Sequence, residues 1–218
     1  MKTILILAAI GMPFFSSAQS EGLRTGTRVG FGSANYTSDN FSPAPSPKLY
    51  MQAGGLMVYG LNNWFGIRAD LQVNFSSVEG RGIRPSDGIL SSDQPYTERY
   101  MNLSLGLPLG LRLNIPAKKF RPYAGGGIMI QANLFNTEER QYDNSGVNDN
   151  YGYAARKMEG AVPLTYYGCF DLGLELVTET GKDYFLEFRM FQALSTLGTS
   201  GGKDVSLSGF TFGGGVLF

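Results

Sequence analysis

The sequence predicts an all-β fold: an eight-stranded antiparallel up-and-down transmembrane β-barrel, preceded by a cleavable signal peptide. Three observations predict it. Apolar residues recur at every second position over stretches long enough to cross a hydrocarbon layer. The connections between those stretches alternate long and short. The charged residues of the strands fall on the face opposite the apolar one, where bases and acids balance.

The clearest stretch runs from Tyr100 to Ile115. Met101, Leu103, Leu105, Leu107, Leu109, Leu111, Leu113 and Ile115 alternate with Asn102, Ser104, Gly106, Pro108, Gly110, Arg112 and Asn114. A period of two places all the large apolar groups on one face of a strand. The alternation spans roughly 50 Å at about 3.4 Å per residue. A tilted strand needs only about 9–11 residues to cross a bilayer. Apolar outward and polar inward is the pattern of a membrane barrel. Pro108 has no N–H to give to a ladder, and a closed barrel has no free edge to hide it, so a bulge or a missing hydrogen bond is expected there.

Taken in order, the first strand is Arg28 to Tyr36, with Val29 and Phe31 against Gly30 and Gly32. A polar loop, Thr37 to Lys48, leads to the second strand, Leu49 to Leu61. Asn62-Asn63 marks a tight turn. The third strand, Trp64 to Ser76, sets Phe65, Ile67, Ala69, Leu71, Val73 and Phe75 against Arg68, Asp70, Gln72 and Asn74. A polar loop, Val78 to Thr97, precedes the fourth strand described above. After the turn Pro116 to Pro122, the fifth strand, Tyr123 to Phe135, sets Ala124, Ile128, Ile130, Ala132 and Leu134 against Tyr123, Met129, Gln131 and Asn133. The longest loop, 136–161, is charged. The sixth strand, Val162 to Thr178, sets Leu164, Tyr166, Phe170, Leu172, Leu174 and Leu176 against Cys169, Asp171 and Glu175. The turn Glu179 to Asp183 leads to the seventh strand, Tyr184 to Leu194, which carries Glu187 and Arg189 inward. Loop Ser195 to Asp204 leads to the eighth, which ends at Phe218. Short turns on one side and long loops on the other belong to an outer-membrane barrel. An even strand number puts both termini on the short-turn, periplasmic side of the outer membrane of a Gram-negative bacterium.

The totals agree. The 218 residues suit one domain. Charged residues make up 17%, below the roughly 25% of soluble chains. The net charge is zero, so nothing favours nucleic acid. No run of about eighteen apolar residues forms a membrane helix. Residues 1–18 read as a signal peptide: Lys2, an apolar run from Ile4 to Phe15, then Ser16-Ser17-Ala18, with cleavage after Ala18 and the barrel domain over 19–218. Its removal takes Lys2 and no acid, leaving 17 basic against 18 acidic residues.

If the leucine faces meet lipid, a lumen charge network of Arg28, Arg68, Asp70, Arg112, Asp171, Glu175, Glu187 and Arg189 points inward. Eight strands enclose just enough room for side chains to fill the interior. Four bases and four acids should pair there, because an unpaired buried charge is very costly. Inward glycines, among them Gly106 and Gly125, leave space for the long side chains. The expectation is a filled lumen with a structural or interaction role carried by long extracellular loops; the alternative is a small porin or narrow channel whose selectivity these charges set. The carboxylates Asp171 and Glu175 are read as structural rather than as an acid–base pair. An aromatic girdle is expected from Tyr59, Trp64, Phe65, Tyr123 and Tyr184 near the short turns. A second set, Tyr36, Tyr50, Phe75, Tyr100, Phe135 and Tyr166, lies near the loops. Gly125-Gly126-Gly127 and Gly213-Gly214-Gly215 lack the lysine and helix of a phosphate loop. Asp143, Asn144, Asn148, Asp149 and Asn150 fit no known calcium-loop spacing. With no histidine, Ser-His-Asp and Cys-His catalysis and His-ligated zinc are excluded. The lone Cys169 is read as a packed inward residue. No catalytic site, cofactor or metal is expected.

These residues carry a resemblance. The Ser-Ser-Ala-Gln end of the signal peptide, the Leu103-to-Asn114 stretch with its Leu-Pro-Leu centre, and Arg121-Pro-Tyr-Ala-Gly-Gly-Gly127 resemble bacterial outer-membrane β-barrel domain families. With the final strand ending in Phe218, they come nearest to the PorT-like small barrels and more distantly to OmpA- and OmpX-like barrels. The resemblance implies that Phe218 is a C-terminal assembly signal read by the barrel-assembly machinery. It implies outer-membrane lipid and lipopolysaccharide as surroundings, and an envelope protein partner through the loops, as in an accessory of a secretion or gliding apparatus. Barrel enzymes of this kind depend on a histidine, so the resemblance implies no enzyme here.

Overall fold

The computed structural model describes residues 22–37, 48–84, 94–142, 153–158, 160–200 and 203–218. The predicted signal peptide and the Asp143–Asn150 group lie outside the described residues. The strands are β1 Leu23–Thr37, β2 Lys48–Gly60, β3 Phe65–Arg84, β4 Gln94–Asn114, β5 Phe120–Tyr142, β6 Tyr153–Lys157, β7 Leu164–Leu176, β8 Asp183–Ala193, β9 Gly198–Ser200 and β10 Lys203–Leu217. Eight of them pair in the order β1-β2-β3-β4-β5-β7-β8-β10, and β10 pairs back onto β1. Every pairing is antiparallel. The sheet is therefore a closed barrel, and closure removes the unpaired edges of an open sheet. The short strands β6 and β9 add onto β5 and β10 at the long-loop end. Among the described residues no helix is long and apolar enough to cross a membrane.

Alternation decides the two faces. Outside stand Phe31, Leu71, Leu111, Leu186 and Phe212, all more than half exposed. Inside, on the opposite parity, the residues are buried. The short turns are built by local chemistry. Asn62 Oδ1 accepts the N–H groups of Trp64 and Phe65 at 2.8 and 2.9 Å, closing the β2–β3 turn as an Asx turn. In the β7–β8 turn, Asp183 Oδ1 accepts the Thr178 N–H at 2.9 Å. Gly181 takes a φ of 74° there, a left-handed value that suits glycine.

The strands outlast the alternation seen in the sequence. β3 and β4 stay paired up to Arg84 opposite Gln94, so much of the expected loop 78–97 is a protruding hairpin. β5 likewise continues to Tyr142. The apolar period stops there while the hydrogen bonding continues, and of the described side chains Arg99 and Gln141 are exposed. Arg99 stands between Glu79 and Glu139 on this projection, with contacts of 2.9 and 4.0 Å.

Pro108 has the expected consequence on one side only. Its pairing with Met129 of β5 is intact. Towards β3, pairing lapses between the Ala69–Leu109 and Gln72–Gly106 rungs and resumes in the same register, so rungs are missing without a bulge. The bulge lies elsewhere: the β4–β5 register shifts between Leu103 and Ser104. Leu134 and the next residue, Phe135, both face outward there.

A closed barrel of this kind resists detergent until it is heated. On denaturing gels the folded chain is expected to migrate faster unheated than boiled. A single band at the boiled position under both conditions contradicts the barrel.

Candidate functional site

The interior is layered, and the layers follow the inward parity of the strands. At mid-height, β1, β3, β7 and β8 bring Arg28, Arg68, Arg189, Asp70, Asp171 and Glu187 together. Asp70 Oδ2 accepts from Arg28 at 3.2 Å, Arg68 at 2.9 Å and Arg189 at 3.0 Å, while its Oδ1 takes Arg68 Nε at 2.7 Å. Asp171, directly across the ladder from Arg189, receives its Nε and NH2 at 2.6 and 3.0 Å, a bidentate fork. Glu187 pairs with Arg68, lies 2.9 Å from Arg28 NH2 and accepts the Tyr123 hydroxyl at 2.8 Å. Three cations meet three anions, so the group is neutral. Each ion taken from water costs several kcal/mol, and mutual pairing is what offsets it.

Tyr123 joins this group to a second one nearer the short turns. Its ring lies under the Arg112 guanidinium, 3.7 Å from the centroid. Arg112 pairs with Glu175 and donates Nε to Asn114 Oδ1 at 2.7 Å. Glu175 also receives Arg24 at 2.5 Å and Arg121 at 3.0 Å. The Tyr123 ring needs Gly173, its ladder partner on β7, because a Cβ there would fall inside the ring. Leu56, Val58, Phe185 and Leu217 pack with Tyr123 at this level.

Above the ions, amides take over. Gln72 Oε1 accepts from Arg28 at 3.3 Å and Arg189 at 3.2 Å, which couples the two layers. Asn74 donates to Gln131 at 3.4 Å, Gln131 to Asn133 at 3.1 Å, and Asn102 to Asn133 at 3.0 Å. Gly106 gives this ladder room: a Cβ there would sit 2.6 Å from Asn74 Nδ2 and 3.2 Å from Gln72 Cγ.

An apolar plug fills the long-loop end. Tyr36 and Tyr100 stack with ring centroids 5.1 Å apart, and Tyr50 and Phe191 at 4.6 Å. Met129 and Tyr167 join them from the strands, and Met158, Leu197 and Val205 from nearer the loops. Backbone bonds hold the covering segments: Leu197 N–H to Val205 C=O at 2.7 Å, Val162 N–H to Leu197 C=O at 3.0 Å. Cys169 faces inward against this plug.

The eight inward charges named from sequence all have buried side chains, and they fall into these two groups rather than one network. Arg24, Arg121 and Asp183, at the strand ends, belong to the second group and were missed. Arg24 shares the parity of Arg28, and Arg121 that of Tyr123. Tyr59, Trp64, Phe65 and Tyr184 stand exposed on the outer face near the short turns. Tyr123 does not: it is 4% exposed and points inward, because it shares parity with the inward Gly125 and Met129. Tyr36, Tyr50 and Tyr100, also expected outside, are inward for the same reason and make the plug. Phe218 is exposed beyond β10, with its N–H on Thr25 C=O at 2.7 Å.

A family model described as outer membrane protein beta-barrel domain matches residues 3–216. Among solved structures, the outer membrane protein OprG of Pseudomonas aeruginosa is similar at 12% identity and a TM-score of 0.48, covering 90% of this chain and 96% of that one. Ail, the attachment invasion locus protein of Yersinia pestis, is similar at 12% identity and a TM-score of 0.39, covering 90% and 99%. Neisserial surface protein A follows at 10% identity and 0.37, covering 89% and 97%. No curated protein matches the chain.

Removing one ion leaves its partners buried and unpaired. Arg189→Met is expected to cost about 3–5 kcal/mol, and Asp171→Leu with Arg189→Met together to recover much of it. Urea unfolding in detergent, followed by the fluorescence of Trp64, the single tryptophan, measures both. A double variant no better than the single one contradicts the pairing.

Proposed function

The chain belongs to the outer membrane protein beta-barrel domain family, and on that premise we propose a non-enzymatic outer-membrane barrel with a filled, non-conducting lumen whose long-loop end carries a structural or interaction role. The observation that supports this reading is the stack of layers inside: a paired ion group at the short turns, a neutral ion group, an amide ladder and an apolar plug. A pore needs a continuous polar path, and the plug interrupts it with tyrosine, phenylalanine and leucine rings and chains. The projecting β3–β4 hairpin and the strands β6 and β9 enlarge the long-loop end beyond what closure of the barrel requires.

The same reading has residues 1–18 removed as a signal peptide and both termini in the periplasm. Lipid and lipopolysaccharide surround the apolar band, an envelope protein partner meets the loops, and Phe218 is read by the barrel-assembly machinery. Tyr59, Trp64, Phe65 and Tyr184 then lie at the interface on the short-turn side.

Refolded protein in planar bilayers tests the lumen. The expected record is a baseline without steady openings. A steady conductance of porin size overturns the reading in favour of a channel.

A further inference from the structure

The two ion groups differ in balance. The mid-height group pairs three cations with three anions. At the short-turn mouth, the acids that Arg24, Arg112 and Arg121 share among the described residues are Glu175 and Asp183. Arg24 and Arg121 donate to the same oxygen, Glu175 Oε1, at 2.5 and 3.0 Å, which sets their guanidiniums side by side. Arg112 donates to the other oxygen, which Arg24 Nη2 also reaches at 3.4 Å, and Arg24 Nη1 reaches Asp183 at 3.0 Å. A guanidinium carries five N–H donors and a carboxylate about four lone-pair sites, so about fifteen donors meet about eight acceptor positions. Arg112 is buried, but the side chains of Arg24 and Arg121 are 27% and 28% exposed, so their surplus donors open onto the rim.

The rim adds charge of the same sign. Lys118 and Lys119 are exposed before β5, and Lys182 is exposed in the β7–β8 turn. The Val177 N–H donates to the Lys119 carbonyl at 2.9 Å, which holds these two turns together. Around this sector the described acids are Glu175, Glu179 and Asp183, half the number of the cations.

We propose that this mouth binds phosphate, with Arg24 and Arg121 as its clamp. A tetrahedral phosphate offers oxygens to two guanidinium forks at once, and such charge-assisted bonds are about twice as strong as neutral ones. A single carboxylate, already supplied by Glu175, leaves the cluster positive. The site lies at the level where lipid headgroups meet the barrel rim, so a phospholipid headgroup and a free phosphate share the chemistry. The inference goes beyond the proposed function and holds whether or not the lumen conducts.

The test uses the full chain refolded in a maltoside detergent, which contains no phosphate. Binding of inorganic phosphate is followed by its phosphorus NMR signal at constant ionic strength. Wild type is expected to bind, and Arg24→Gln with Arg121→Gln to weaken binding by at least about tenfold, the loss of about 1.4 kcal/mol. Phosphatidylglycerol in mixed micelles displaces the phosphate if the headgroup is the ligand and leaves it in place if free phosphate is. Folding of the variant is checked by the gel shift on heating. If the glutamine variant does not fold, Arg24→Lys with Arg121→Lys, which keeps the charge and loses the forks, must weaken binding instead. No binding by wild type of either phosphate source, equal displacement by chloride, or undiminished binding in the folded variant overturns the proposal.

Discussion

Asp70 Oδ2 accepts from three guanidiniums at once, Arg28, Arg68 and Arg189. That shared acceptor fixes how the interior is arranged. The three arginines come from β1, β3 and β8, which lie on different sides of the barrel, so one carboxylate ties walls that share no ladder. Three converging cations in turn demand further anions, and Asp171 and Glu187 supply them. None of these charges has bulk water to fall back on, so the closed sheet tolerates them only as a complete set. Asp70 stands where Pro108 leaves the β3–β4 ladder without rungs. The side-chain network is densest where the backbone pairing is weakest.

The layers above and below follow from that set. Gln72 accepts from two of the arginines and passes the polar network to the amides, whose own ladder stops at Asn133 and Asn136. Beyond them the plug residues pack together at the long-loop end, with the buried carboxylate of Glu138 at the same level. Towards the short turns, Tyr123 links the neutral group to the one that holds Arg24, Arg112 and Arg121 around Glu175. The outer surface is indifferent to all of this: it presents leucine, phenylalanine and valine whatever the inside holds.

Strand number, topology and the facing of each charge were legible in the sequence because a period of two is a local property. The partners were not. Arg68 meets Glu187 across 119 positions, and that depends on the stagger with which the sheet closes, which no local pattern records. Tyr36, Tyr50 and Tyr100 share parity with Arg28, Gln52 and Asn102 and face inward with them, although their place near strand ends suggests a membrane interface. Tyr123 was misplaced in the same way. Parity is the stronger signal, because a one-residue change of face would turn the whole strand over. The extent of β3, β4 and β5 is not readable from the sequence because the apolar alternation stops before the hydrogen bonding does.

The proposed filled lumen can be probed from within. Cys169, the only cysteine, lies inside it between Asp171 and the plug, and so reports on that directly. The measurement is the labelling rate of Cys169 by a charged, water-soluble thiol reagent in folded protein reconstituted in vesicles, against the same protein unfolded in urea. A filled lumen gives negligible labelling when folded and complete labelling when unfolded. Labelling of the folded barrel at a rate near that of a free thiol would mean an open, hydrated lumen and would contradict it.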